Sequence, residues 1–151
     1  MSKPLRYDPP LARALAAELH AALAGRMAHP APVYDRDLSA ALPLEGGGAL
    51  RFDLHPSRGW VRLLGAGAPE AAGARAAAPG EPSARIVRVG APPDERLLRI
   101  DLHEGGRFRG GRRMLVVELH TNQWNALLVD AADRRIVSVL RAREAGGGGG
   151  G

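Results

Sequence analysis

The N-terminal part of the chain carries a helical period. Leu11, Leu15, Leu19, Ala22 and Leu23 recur at helical spacing, Asp8 stands ready to cap, and Pro9 and Pro10 fall in the first turn. Gly25 follows as a stop. The pattern predicts one helix with a narrow leucine face packed on a sheet, and Ala12, Arg13, Glu18 and His20 mostly on other faces. From residue 33 the period shortens. Segments 33–42, 49–55 and 59–64 read as short strands, separated by turn signals at Glu45–Gly48 and His55–Gly59.

Residues 65–84 hold no large apolar side chain, which predicts a mobile, low-complexity connection over 65–83. The strand signal then strengthens at 85–89, 97–102, 114–119, 126–130 and 136–141. Within 97–102, Leu98, Ile100 and Leu102 share one face while Arg99 and Asp101 share the other, the mark of an antiparallel strand with one wet face. A helix followed by roughly eight strands gives an α+β fold, a helix packed on an antiparallel β-sandwich or barrel-like sheet. The expected organisation is a single domain over 1–144 and a glycine tail over 145–151.

Composition narrows the picture. Of 151 residues 45% are hydrophobic, but 27 are Ala and 20 are Leu, and aromatics make up only 4%. That suffices for one modest core filled chiefly by Leu and Val. The absence of cysteine excludes disulfides, thiolate metal sites and cysteine nucleophiles. The N-terminus lacks the apolar stretch of a signal peptide and no apolar run reaches membrane-spanning length, so a cytoplasmic location without membrane partners is expected.

A net charge of +5 and a pI near 10.9 point to a polyanionic partner. Most of the excess lies in residues 85–151, with 12 Arg against 8 acids. Arginine outnumbers lysine 20 to 1, which coding bias alone can produce.

Four acid-Leu-His triplets recur, at Glu18–His20, Asp53–His55, Asp101–His103 and Glu118–His120. On a strand the acid and the histidine share a face, so convergent triplets would build a metal site; the plainer reading is solvent-facing positions around a core leucine. No serine sits in a G-x-S-x-G elbow, and no glycine-rich stretch carries the Lys-Ser/Thr of a phosphate loop. No catalytic centre, cofactor or small-molecule substrate emerges. The loop Gly105–Arg113 is the clearest interaction candidate. Its Arg107, Arg109, Arg112 and Arg113, with Phe108, sit on a glycine backbone suited to phosphates and bases. It also suits a solvated hairpin whose charge keeps sheet edges apart. Arg85, Arg88, Arg96 and Arg99 would widen the same surface if they share a face.

Three stretches carry a family resemblance. They are YDPPLARALAAELHAALAG from Tyr7, ARIVRVGAPPDERLLRIDL from Ala84, and RRMLVVELHTNQWNALLVDAADRRIVSVLRARE from Arg112. In this order they resemble the N-terminal domain of the NFACT family, ribosome-quality-control proteins that also carry the older label fibronectin-binding protein A. The resemblance covers residues 7–64 and 84–144 and implies a fold like the N-terminal domain of formamidopyrimidine-DNA glycosylases.

It further implies an RNA-binding role without enzymatic activity, with tRNA and the large ribosomal subunit as partners. The family's functional Asp-Arg pair falls on Glu95 and Arg96, and its Asn falls on Asn125. Glu95 departs from the family's Asp, and the family's apolar helix has no counterpart in 65–83. The middle helical and C-terminal parts of a full-length member are absent, so a fragment or reduced version is expected. A true glycosylase is disfavoured, because the chain begins Met1-Ser2-Lys3-Pro4-Leu5 rather than with a proline followed by Glu. The alternatives are a metal-dependent nucleic-acid-processing enzyme using the triplets and a protein-interaction or adhesion module.

Overall fold

A computed structural model describes residues 8–55, 58–65, 67, 83–104, 111–119 and 124–140. Most of the low-complexity connection, the Arg107 and Arg109 part of the basic loop, residues 120–123 and the glycine tail lie outside the described residues.

Helix α1 (Pro9–Leu23) starts as its sequence dictates. The Asp8 carboxylate accepts from the Leu11 backbone N–H at 2.9 Å, and the two prolines occupy the first turn. The buried line differs from the leucine stripe. It runs Ala12, Ala16, Leu19, Leu23, with Leu15 partly buried, Ala22 exposed and Leu11 38% exposed. Two alanines on the contact line allow the helix to approach the sheet closely, and the larger Leu11 and Leu15 are rotated to its flanks.

The described residues form ten strands in two antiparallel sheets. The first sheet holds β1 (Met27–Ala28), β6 (Ala84–Gly90), β7 (Leu97–Glu104), β8 (Arg112–Glu118), β9 (Asn125–Asp130) and β10 (Ile136–Val139), in that order. The second holds β2 (Val33–Tyr34), β3 (Ser39–Pro43), β4 (Ala49–His55) and β5 (Arg58–Leu64). Their inner faces meet in one core. Leu42, Leu50, Phe52 and Leu54 pack with Ile86, Ile100, Leu115, Leu128 and Trp124, and the helix line closes it. At one corner the sheets are sewn together by His29 N–H to Pro43 O at 2.9 Å and Glu45 N–H to Met27 O at 3.0 Å. Across the sandwich the Tyr34 and Ser138 hydroxyls lie 2.7 Å apart, linking β2 to β10, and partial burial raises the Tyr34 pKa.

Three boundaries differ from the sequence expectation. The segment 33–42 is two strands, broken by a turn in which Leu38 adopts φ 61° and its N–H donates to Asp35 O. Strand β1 has only two residues, too few for any period to register. Arg112 and Arg113 belong to β8, not to the preceding loop.

Strand β6 is the hinge of the arrangement. Ile86 pairs with Leu102 and Arg88 with Asp101, so Val87 is an extra residue, a bulge. The bulge resets the alternation. Ile86 and Val89 both enter the core, while Arg85, Val87 and Arg88 all face outward. The end of α1 fixes this edge. Ile86 O accepts from Gly25 N–H at 2.7 Å, Ile86 N–H donates to Arg26 O at 2.8 Å, and Val89 N–H donates to His20 Nδ1 at 3.1 Å. Gly25 makes its bond from φ 87°, a conformation only glycine adopts freely. The edge of β6 is thereby capped against further pairing.

Two measurements check this packing. In urea unfolding, Leu19→Ala and Leu23→Ala should each lose about 2–5 kcal/mol, with Arg13→Ala within about 0.5 kcal/mol of the parent. Deleting Val87 removes the bulge yet leaves Ile86 and Val89 facing the core and Arg85 and Arg88 facing water, so the variant should fold with a loss of no more than about 2 kcal/mol, whereas deleting Arg99 from the unbulged β7 inverts its alternation and should cost about 4 kcal/mol or more. A Val87 deletion that loses as much stability as the Arg99 deletion would contradict the register.

Candidate nucleic-acid interface

The outer face of the six-stranded sheet collects the arginines in cross-strand rows. Arg85 pairs with His103 and His103 with Arg112, so these three form one row across β6, β7 and β8. Arg88, Asp101 and Met114 form the next, and Gly90, Arg99 and Val116 the third. Side chains directly opposite on one face of a sheet are near neighbours, so Arg85, Arg88, Arg99 and Arg112 make one surface. Arg88 reaches it only because of the Val87 bulge. Its guanidinium rests over the bare backbone of Gly90, where an added Cβ would lie 3.4 Å from Nε.

Two adjoining depressions are cut into this face, and both are lined by Arg99 and Asp101. One, of about 250 Å³, is walled by Arg88, Gly90, Ala91 and the prolines of the β6–β7 turn. The other, of about 340 Å³, is walled by Val87, His103, Arg112 and Met114 among others. Asp101 accepts from Arg99 Nε at 2.9 Å, which orients that guanidinium and leaves its terminal nitrogens for a ligand. Arg85, Arg88 and Arg112 are exposed and form no ion pair with another described residue. The face is therefore a shallow, electropositive trough with fixed fork-shaped donors, suited to phosphate oxygens.

The other predicted residues are placed differently. Glu95 and Arg96 are exposed in the β6–β7 turn, beyond the trough and lining neither depression. The Arg96 carbonyl accepts from Leu119 N–H at 2.8 Å, which holds the turn against the end of β8. Arg113 alternates to the core side of β8, opposite Leu102 and Asp130, and its guanidinium lies 3.5 Å from Glu104. Arg113 lines the second depression, but its guanidinium is paired with Glu104, unlike those of Arg85, Arg88 and Arg112. Asn125 is 1% exposed and its Oδ1 accepts from Ala126 N–H at 2.9 Å, so it shapes the start of β9 from within and offers no surface contact. No three potential metal ligands come together among the described residues; of the acid-Leu-His triplets, His120 and the His55 side chain lie outside them. No helix of the described residues is long and apolar enough to cross a membrane.

The single helix on a two-sheet antiparallel sandwich resembles in fold about half of each of three solved bacterial fibronectin- or fibrinogen-binding proteins. The N-terminal domain of fibronectin-binding protein PavA from Streptococcus pneumoniae aligns with a TM-score of 0.69 at 16% identity, over 91% of this chain and 55% of that one. The fibrinogen binding protein from Staphylococcus aureus gives 0.69 at 16% identity, over 93% and 52%. The N-terminal part of the fibronectin/fibrinogen-binding protein from Streptococcus suis gives 0.61 at 16%, over 85% and 51%. The chain spans about half the length of these solved structures, and the likeness is one of fold. In sequence, no family model matches the chain and no curated protein matches it at a significant level.

The outer face of the four-stranded sheet has a different character, and the sequence reading missed it. Arg51 Nε donates to Asp53 at 3.1 Å, and Arg62 donates to the other oxygen of Asp53 at 3.0 Å. Arg51 also donates to Ser39 Oγ at 3.1 Å and reaches Asp37 at 3.4 Å. The Ser39 hydroxyl bonded to Asp37 holds that carboxyl below the usual carboxylate range, with Arg51 assisting against partial burial. Because the native pKa lies below the unfolded one, this contribution is present above the unfolded carboxylate pKa of about 4 and is lost as pH falls through the native value. Asp37→Asn should therefore flatten the decline in stability below about pH 4. Parent and variant curves that stay parallel from pH 7 downward would contradict this network.

Proposed function

We propose that this chain is a non-enzymatic, cytoplasmic RNA-binding module, an NFACT-like N-terminal domain that contacts tRNA or the large ribosomal subunit. The observation that carries the reading is the arginine trough. Four guanidinium groups from three adjacent strands face outward together, with Asp101 as the acid between them. Such a surface binds a phosphate backbone by charge, with little selectivity for sequence. The sandwich fold agrees with what the resemblance implies. Glu95 and Arg96 are exposed beyond the trough, and in this reading they touch a ligand that overruns it.

A second reading has one specific support. The solved neighbours are fibronectin- and fibrinogen-binding proteins by name, and the edge strand β10 exposes Ile136 and Val137, so a protein-binding role through that edge is the competitor.

Fluorescence anisotropy with labelled tRNA over a range of salt separates the two. The parent should lose affinity steeply as salt rises. Replacing Arg85, Arg88, Arg99 and Arg112 together with Gln should weaken binding and lower the salt slope by about 3–4, one for each lost phosphate contact, without lowering thermal stability. Arg96→Ala should weaken tRNA binding with a slope change of about 1 or less. A quadruple variant that binds tRNA like the parent defeats the RNA reading. Salt-insensitive binding to immobilised fibronectin that survives in that variant would favour the competitor.

A further inference from the structure

The four-stranded sheet presents Trp60, 53% exposed, on the face that carries the Arg51–Asp53–Arg62 network. Trp60 stands opposite Asp53, and Arg62, two residues on, stands opposite Arg51. With Asp37 these residues line a depression of about 320 Å³. A single exposed aromatic means little by itself. Its surroundings narrow what it can receive.

The depression holds two guanidinium groups and two carboxylates, so it is formally neutral and has no general attraction for phosphate. A lysine or arginine from a partner would meet two guanidinium groups already in place. An acidic side chain would meet two carboxylates, and an aliphatic one finds no apolar wall beyond the indole itself. What remains is a flat, neutral ring with polar edges. Asp53, gripping both arginines, holds their planar groups beside the indole. Asp37, whose side chain is 47% exposed, keeps acceptor capacity beyond its bonds to Ser39 and Arg51.

We infer that this depression receives an unstacked nucleobase from a single-stranded stretch of RNA. The base stacks on the Trp60 ring, and its edge N–H groups donate to Asp37. This rests on the RNA-binding reading but lies on the opposite sheet from the trough, and its physics differs: stacking is insensitive to salt, whereas phosphate contacts are not.

The chain has two tryptophans, and Trp124 is buried, so quenching by a stacked base reports on Trp60. The intact protein is titrated with short oligoadenylate and oligouridylate and with inorganic polyphosphate, a polyanion without bases. Both oligonucleotides should quench saturably, and polyphosphate should bind at low salt without quenching. Trp60→Ala should lower oligonucleotide affinity about 5- to 100-fold, by the same factor at low and high salt. Trp60→Phe should retain most of the affinity, and polyphosphate binding should not change in either variant. If oligonucleotides bind without quenching, or Trp60→Ala binds them like the parent while binding stays salt-dependent, the base site is overturned and the trough stands. If neither RNA nor polyphosphate binds, the RNA reading fails and the base site with it.

Discussion

Strand β6 has to bury Ile86 and Val89 while keeping Arg85 and Arg88 in water, and a regular strand cannot do both. Residues three apart point to opposite faces of a straight strand, so one of the two apolar side chains would be stranded outside and one arginine forced in. The extra residue Val87 reverses the phase between them. The end of α1 then holds the reset edge, with Gly25, Arg26 and His20 taking up the Ile86 and Val89 backbone groups. Those bonds also seat the helix line Ala12–Ala16–Leu19–Leu23 on the core. One local irregularity thus ties the position of the helix to the composition of the outer face. The trough depends on it because Arg88, laid over Gly90, forms the wall between the β6–β7 turn and Arg99.

The sandwich separates two kinds of recognition. On the wider sheet, charge is left unbalanced and the donors point to water, an arrangement that attracts a polyanion from a distance and releases it as salt rises. On the narrower sheet Arg51 and Arg62 are each answered by a carboxylate, and the feature left over is an aromatic ring. In the proposed reading the first surface supplies affinity and orientation, and the second, acting at contact distance, supplies a stacking point for one base. A ligand engaging both must pass around an edge of the sandwich, which a flexible single strand does more readily than a rigid duplex.

Much of the fold could be read from the chain because its signals are local. Asp8-Pro9-Pro10 caps the helix through its own side chain, and the alternation Leu98–Leu102 fixes a half-buried strand. The helix phase was not legible, because a leucine stripe and a close-packed alanine line compete and only the opposing sheet decides between them. The split of 33–42 depended on Leu38 entering the left-handed region, an unfavourable choice for leucine that its sequence does not advertise. At the site, Arg85, Arg88 and Arg99 were legible as residues but not as a surface, since the bulge that unites them is set by pairing with β7. Asn125 stood out through family resemblance, yet its burial reflects a structural duty. The Trp60 depression did have a signal: Arg51 and Asp53 flank Phe52, and Trp60 and Arg62 flank Val61, the alternation of two paired strands with a polar outer face.

The central proposal, that RNA binds on the outer face of β6–β8, is open to direct observation by chemical-shift mapping. With the protein labelled in nitrogen-15 and titrated with unlabelled tRNA at low salt, the side-chain Nε–H resonances of Arg85, Arg88, Arg99 and Arg112 should shift together. The backbone amides of Gly90 and His103, within the same rows, should move with them. Should those signals stay fixed at saturating tRNA while the amides of Ile136 and Val137 move, the trough is not the interface and the account built on it is wrong.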